Sequence, residues 1–466
     1  MPKLRILPLG REIDYTPGGT LADILAKSGI HLALPCGGRG VCGGCRVRFL
    51  DHAPPPTAAE SDLLSPRELS EGIRLSCLTR PEGDCTLEIR VPSPLSACVQ
   101  IPDVTPEGKH GDFKWAVDLG TTTIYALSPD GEIKSLWNPQ SLWGSDVISR
   151  LNAATDAVTL RAMREITLSA LKGCVGEEEA FVCGNPVMTG ILEGRDLSSL
   201  LKPPYCTPPL GFRRMERFTL LPEIGGFLGS DALSLACIAH ITGSGKTTLA
   251  LDIGTNTEMF LLANGKIWGT SLPAGPAFEG FGISSGMPAV SGAIHLVRED
   301  LSFETVEGKP ERGICGSGLI SAIYALLQRG IIDCSGKMLM DEYPLGRVSL
   351  KQKDIRAFQM AKAAVYAGAK ALLKIGRAKK IDRILVAGNF GLSIKEEWFT
   401  GLRILPEECE GDIEYLGNTS LWGARWASAS EGLRKLMEDL KERITVIQLA
   451  EEETFKKAYF EGMDLC

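Results

Sequence analysis

Three cysteines within the ten-residue string CGGRGVCGGC, Cys36 to Cys45, constrain this chain more than any other feature. A fourth, Cys77, follows in RLSCLT after 31 intervening residues, so the pattern is C-x5-C-x2-C and then a remote partner. Thiolates so close together can converge only on a tightly turned loop, and interspersed glycines let backbone N–H groups approach the sulfurs. The surrounding sequence predicts a small β-rich domain over residues 1–91. LRILPLG and REIDYTP read as a strand pair, and RVRFL and CTLEIRVP as later strands. TLADILAKSG reads as a helix with Thr20 at its N-cap and Gly29 near its end.

This spacing suits a [2Fe–2S] cluster, for which three close thiolates and one distant thiolate are the known pattern. The first gap is one residue longer than in the plant-type spacing and matches the adrenodoxin branch. A structural zinc is the competing reading, but zinc sites more often use two separated C-x2-C pairs. Unliganded thiols are the third. Cys85, inside the strand pattern DCTLEIRV, is read as a non-ligand. The chain holds fourteen cysteines. In a long chain with no signal sequence they are expected to stay reduced or bind metal, so those outside the cluster pattern, Cys183, Cys315 and Cys466 among them, read as small buried apolar residues. A cytoplasmic location is the corresponding expectation. A net charge of −7 without a basic stripe argues against a nucleic-acid partner. No apolar run reaches the ~18 residues of a membrane helix.

Residues 92–112, with Pro92, Pro94, Pro102 and Pro106, read as a flexible linker able to span at most about 70 Å. From residue 113 strand and helix signals alternate, as in an α/β domain. An internal repeat divides this part. WAVDLGTTTIYALSPDG starts at Trp115 and LALDIGTNTEMFLLANG at Leu249; Asp118 precedes Asp130-Gly131, and Asp252 precedes Asn264-Gly265, at the same offsets of 12 and 13. Each unit reads as strand, D-x-G-T turn, strand and hairpin turn. Two lobes follow, 113–245 and 246–466.

Such hairpins suit phosphates: glycine leaves room, while turn N–H groups and threonine hydroxyls donate. Gly120, Thr121, Thr122, Gly254, Thr255 and Asn256 are the expected binding residues. Asp118 and Asp252 would face each other across a cleft, where an aspartate can hold Mg²⁺ through water or orient an attacking water. Asp231, in GGFLGSDALSLA, is a further candidate. RILVAGNFG ends a strand in Gly388, Asn389 and Gly391, a turn against which an adenosine can lie. GSGKTT at 243–248 is a decoy: His240 stands where a P-loop needs glycine, and the segment runs into a strand, not a helix.

Together these elements resemble the actin/hexokinase/sugar-kinase superfamily. The whole chain is similar to the reductive activators of corrinoid proteins, through the cysteines, both hairpins, and the strings VCGNPVMTGIL, LPAGPAFEG, ICGSGL, FQMAKAAVYAG, AGNFG and LGNTSLWGA. The resemblance implies a β-grasp ferredoxin domain joined to a two-lobed ATPase, with ATP, Mg²⁺ and a [2Fe–2S] cluster as cofactors. It adds Gly316 of ICGSGL to the nucleotide site. It implies a corrinoid protein of a methyltransferase system as partner and an external low-potential electron donor, and it leaves a homodimer open. The extra domain that larger members carry before the ATPase is missing here. Three other readings remain: an activator of acyl-CoA dehydratases or ring reductases, a ferredoxin-fused metabolite kinase with Asp231 as base, and a redox sensor. The loop Ser271 to Met287 is expected either to pack beside the ATP site or to reach the partner with Phe278, Phe281, Ser271, Ser284 and Ser285.

Overall fold

The computed structural model describes every residue except 8, 9, 29, 31, 33, 35–37, 41, 42, 90–98, 145, 244 and 389–393. The N-terminal sheet comprises β1 (Lys3–Leu7), β2 (Arg11–Asp14), β3 (Arg46–Phe49), β4 (Ile73–Leu75) and β5 (Cys85–Glu88), in the order β2-β1-β5-β3-β4. β1 and β2 pair antiparallel as expected, and β1 lies parallel to β5. The period of two turns Leu4 and Ile6 inward, against Leu21 and Leu25 of the helix Leu21–Lys27. That helix opens with Thr20 in a capping box with Asp23. Two further capping boxes, Thr57 with Glu60 and Ser65 with Glu68, start short helices at Ala58–Leu63 and Pro66–Ser70.

The internal repeat folds into two sheets of matching topology. In the first, β6 (Trp115–Leu119), β7 (Thr123–Leu127) and β8 (Ile133–Trp137) form an antiparallel meander, and β9 (Ala180–Gly184) runs parallel to β6. β10 (Arg213–Met215) and β11 (Phe218–Leu220) complete the order β10-β11-β9-β6-β7-β8. The second repeats the meander with β12 (Thr248–Ile253), β13 (Asn256–Ala263) and β14 (Lys266–Pro273), and the strand Arg383–Ala387 takes the place of β9. Asn264 and Gly265 turn β13 into β14 with φ of 52° and 72°, the conformation an Asn-Gly hairpin needs.

The lobes share one core. The helices Ser230–Thr242 and Thr419–Ala429 are sandwiched between the sheets, so that Ala116 and Cys183 of the first join Ala250 and Phe260 of the second through Leu235 and Trp422. A helix so enclosed must be apolar all round, and SDALSLACIAHIT nearly is. The proline-rich stretch is laid along this core from Val99 onward, which corrects the expectation of a flexible linker for its described part. The Asn418 N–H donates to the Gln100 carbonyl at 2.7 Å, Trp422 Nε1 to the Val104 carbonyl at 2.7 Å and the Gly111 N–H to the Ala429 carbonyl at 2.8 Å.

Two cysteine expectations are also corrected. Cys466 is not an isolated buried thiol: it forms a disulfide with Cys334, with Cα atoms 5.1 Å apart across 132 residues of sequence. The fold returns the C-terminal segment to that turn, a proximity with no local sequence signal. Cys206 is exposed, whereas Cys183 and Cys315 are buried as expected. Among the described residues no helix is long and apolar enough to cross a membrane.

Candidate functional site

Of the four expected cluster ligands, Cys36 and Cys42 lie outside the described residues. Cys45 follows directly into β3 and Cys77 follows β4, and β3–β4 pairing brings their sulfurs to 3.2 Å. That separation is far beyond a disulfide bond and within reach of two ligands of one metal ion. The neighbouring Cys77 thiol pulls Cys45 down to about 7, toward the thiolate that a metal needs. Glu60, fully buried, braces the Cys77 turn by accepting from the Leu75 N–H and the Thr79 hydroxyl, both at 2.7 Å. Gly40 has φ +70°, and a Cβ there would meet the Leu78 side chain at 2.7 Å, so this loop position requires glycine. The described half of the site therefore fits a cysteine-held cluster. Cys85 sits in β5, and burial pushes its thiol up to about 11, in keeping with a non-ligand.

The second site is a cleft in which five carboxylates converge. Asp118 ends β6, Asp252 ends β12, and Asp231 stands in the first turn of the helix Ser230–Thr242. All three expected aspartates come together, and two glutamates join them. Glu258 lies on β13 directly across from Asp252, with Ser271 next in the same row donating to it at 2.9 Å. Glu279 accepts from the Thr255 hydroxyl at 2.5 Å. Like charges directly opposed on paired strands are unfavourable, so this row is not there for stability. The first lobe carries Tyr125 at the place of Glu258.

Each carboxylate lies deep among protein atoms while keeping a small opening to solvent, and burial dominates its proton affinity. Burial pushes Asp118 up to about 7; Asp252 adds to the rise and the Asn418 hydrogen bond opposes it. Asp231 also rises to about 7 by burial, against the Ala232 N–H and with help from Asp252 and Asp118. Asp252 rises to about 6, by burial and then Glu279. Glu258 and Glu279 are raised by burial as well. Among the described residues none of the five forms an ion pair with a basic side chain. The cleft is a basin of acidic groups that burial holds toward the protonated form and that a bound cation would draw into ionisation.

Both hairpins frame this basin. Gly120 and Thr122 offer carbonyls to Asn138, and the Thr121 hydroxyl accepts from Asn185 at 3.1 Å. Gly388 has φ +86°, and a Cβ on it would lie 2.7 Å from the Asp252 carboxylate, which puts the end of its strand against the second hairpin. Asn389 and Gly391 lie outside the described residues. Gly316 starts the helix Gly316–Gln328, whose N-terminus abuts Gly280, the residue after Glu279. Gly254 and Asn256 flank Thr255 in the second turn.

Two residues not singled out in the sequence hold the first hairpin. Asn185 caps the helix Pro186–Glu193, and Asn418 caps the helix Thr419–Ala429 while donating to Asp118 at 2.8 Å. The available signal was a Gly-Asn pair closing a strand, found at 184–185 and 417–418 as at 388–389. The loop from Ser271 to Met287 turns inward. Phe278 is fully buried and meets Phe358 edge-on at 5.8 Å, and Ser284 and Ser285 bond Asp354 and the Ser349 carbonyl. Of the two readings of this loop, Phe278 takes the packing one, and Ser284 and Ser285 are hydrogen-bonded within the lobe.

Fold and sites together define a class: a ferredoxin domain fused to a two-lobed nucleotide-binding domain of the actin/sugar-kinase type. Residues 4–82 match the 2Fe-2S iron-sulfur cluster binding domain, residues 113–244 the RACo middle region, and residues 246–466 the C-terminal ASKHA domain of RACo. The chain belongs to the RACo family, the reductive activators that its motifs resemble. The corrinoid activation enzyme RamQ of Eubacterium limosum is 23% identical, with 97% of each chain covered. The [Co(II) methylated amine-specific corrinoid protein] reductase of Methanosarcina barkeri is 25% identical over 74% of this chain and 75% of its own. A solved reductive activator for corrinoid, iron-sulfur protein superposes over all of this chain and 98% of its own with a TM-score of 0.67 at 24% identity, which shows the shared fold.

Proposed function

We propose that this chain is an ATP-dependent reductive activator of a corrinoid protein in a methyltransferase system. It returns the one electron lost when the corrinoid's cobalt drifts from Co(I) to inactive Co(II), drawing that electron from an external low-potential donor. A [2Fe–2S] cluster on Cys36, Cys42, Cys45 and Cys77 supplies one-electron chemistry when bound. Plant-type clusters lie near about −400 mV. Each ~59 mV by which the cobalt lies lower costs about 1.4 kcal/mol. ATP offsets that shortfall.

In this reading Gly120, Thr121, Thr122, Gly254, Thr255 and Asn256 cradle the phosphates. Asp118 and Asp252 hold Mg²⁺ through water or orient the attacking water, and Asp231 is a further carboxylate for the same task. Gly388, Asn389 and Gly391 lie against the adenosine, and the helix end at Gly316 faces the nucleotide. The observation that carries the reading is one chain that joins a cysteine-clamped domain to a duplicated hairpin cleft whose carboxylates, among the described residues, have no basic partner.

The test is phosphate release measured alongside the cobalt absorption spectrum, with reduced protein and a Co(II) corrinoid protein. Co(I) should form only with ATP present, and Cys45→Ser should abolish its formation while phosphate release persists. Phosphate transfer to a small metabolite without any cobalt reduction would overturn the reading.

A further inference from the structure

The ferredoxin domain touches both lobes of the nucleotide-binding domain. On one side the Ser141 hydroxyl donates to the Leu32 carbonyl at 3.0 Å, with both residues buried. Leu142 packs against the small buried cluster that contains Leu34, Leu64, Leu75, Cys45 and Cys77. On the other side Arg312 stands 3.8 Å from Glu88. Ser141 and Leu142 belong to the first lobe and Arg312 to the second. A domain held at both lobes feels any change in their separation, and closure on a ligand is the standard motion of two-lobed clefts.

The first contact is joined directly to the phosphate hairpin. Asn138 is fully buried and caps the 3-10 turn Pro139–Trp143, which carries Ser141 and Leu142. Its backbone N–H donates to the Thr122 carbonyl at 2.9 Å, and its Nδ2 donates to the Gly120 carbonyl at 2.8 Å. Its Oδ1 accepts from the Gln140 N–H at 2.9 Å. With every polar group of this side chain engaged, the hairpin and the turn move as one body.

We infer that Ser141 and Leu142 are positioning residues for electron delivery. Without nucleotide they hold the ferredoxin domain against the lobes, so that Leu142 covers the Cys45–Cys77 edge. Nucleotide binding at Gly120–Thr122 acts through Asn138 to release it. Electron transfer weakens steeply with distance, so a partner must come close to that edge, and Leu142 stands in the way while the domain is docked. Contacts of the kind seen here, a hydrogen bond, a leucine and a solvent-facing ion pair, can be undone by a local shift. The inference rests on the proposed function, in which ATP occupies this cleft.

Hydrogen exchange of the full cluster-loaded chain, run with and without Mg-ATP beside isothermal titration of ATP, is the test. Peptides covering 32–34 and 139–143 should exchange about tenfold faster with Mg-ATP. Leu142→Ala and, independently, the exposed Arg312→Glu should raise exchange at 32–34 without nucleotide and leave phosphate release unchanged. Relaxation of the reduced cluster's EPR signal by a soluble paramagnetic ion should depend on nucleotide in the parent protein and lose that dependence in both variants. If ATP binds and exchange at both segments stays the same, the coupling is wrong and the proposed function stands. If titration shows no ATP binding, both fall.

Discussion

At the scale of single residues, the cleft is defined by carboxylates held where they resist ionising. Asp118 and Asp231 are raised to about 7 and Asp252 to about 6. In the unfolded chain an aspartate loses its proton near pH ~3.9. Between there and about pH 7 the folded protein holds more protons, so stability falls as pH rises through this window. Without divalent cation, the melting temperature should be higher at pH 5.5 than at pH 7.5, and Mg-ATP should close the gap. A melting temperature that rises across this window would contradict the basin described above. Asp252→Ala should cut phosphate release by about 10²–10⁴-fold, the range lost with a positioned acid–base group, while isothermal titration still detects ATP. Turnover equal to the parent's would remove Asp252 from the mechanism.

At the scale of elements, the functional turns depend on how strands end. The strand Arg383–Ala387 terminates at Gly388, where a side chain would meet both a left-handed backbone and the Asp252 carboxylate. Gly388→Ala is expected to destabilise the fold by about 1–3 kcal/mol, the cost of such a strained conformation, and to weaken ATP binding in the same titration. The 24-residue helix Gln352–Ile375 carries a second device. Lys362 is fully buried and its ammonium donates to the carbonyls of Arg403, Gly462 and Asp464 at 3.2, 2.8 and 2.5 Å. Burial lowers it to about 7. Lys362→Met leaves those carbonyls without their donor, at about 1–3 kcal/mol for each buried group that stays unsatisfied. The C-terminal segment should then be cut faster by carboxypeptidase under reducing conditions; an unchanged cutting rate would show that the segment is held elsewhere.

At the scale of the whole molecule, the two sheets and the helices between them form one body, and the ferredoxin domain spans both lobes. Much of this was legible in the sequence because local chemistry dictates it. Asn264-Gly265 forms the hairpin turn that its residue types favour, Thr20 caps its helix through Asp23, and the four-cysteine pattern marks Cys45 and Cys77 as partners. The repeated D-x-G-T turns mark the two strand ends that meet in the cleft, because each sets an aspartate just before a glycine turn at a strand end. What only the tertiary structure decided depends on residues distant in the chain. Glu258 and Glu279 become neighbours of Asp252 through strand register and an inward-turned loop. Asn418 reaches Asp118 across 300 residues. Cys466 finds Cys334, Phe278 turns into the core, and the proline-rich stretch from Val99 onward is pinned along the helix Thr419–Ala429. Turns and caps are set by neighbours a few residues away, so their residue types announce them. Burial, charge repulsion and long-range pairing arise only when separate elements pack, and the same residue types would serve equally well on a surface.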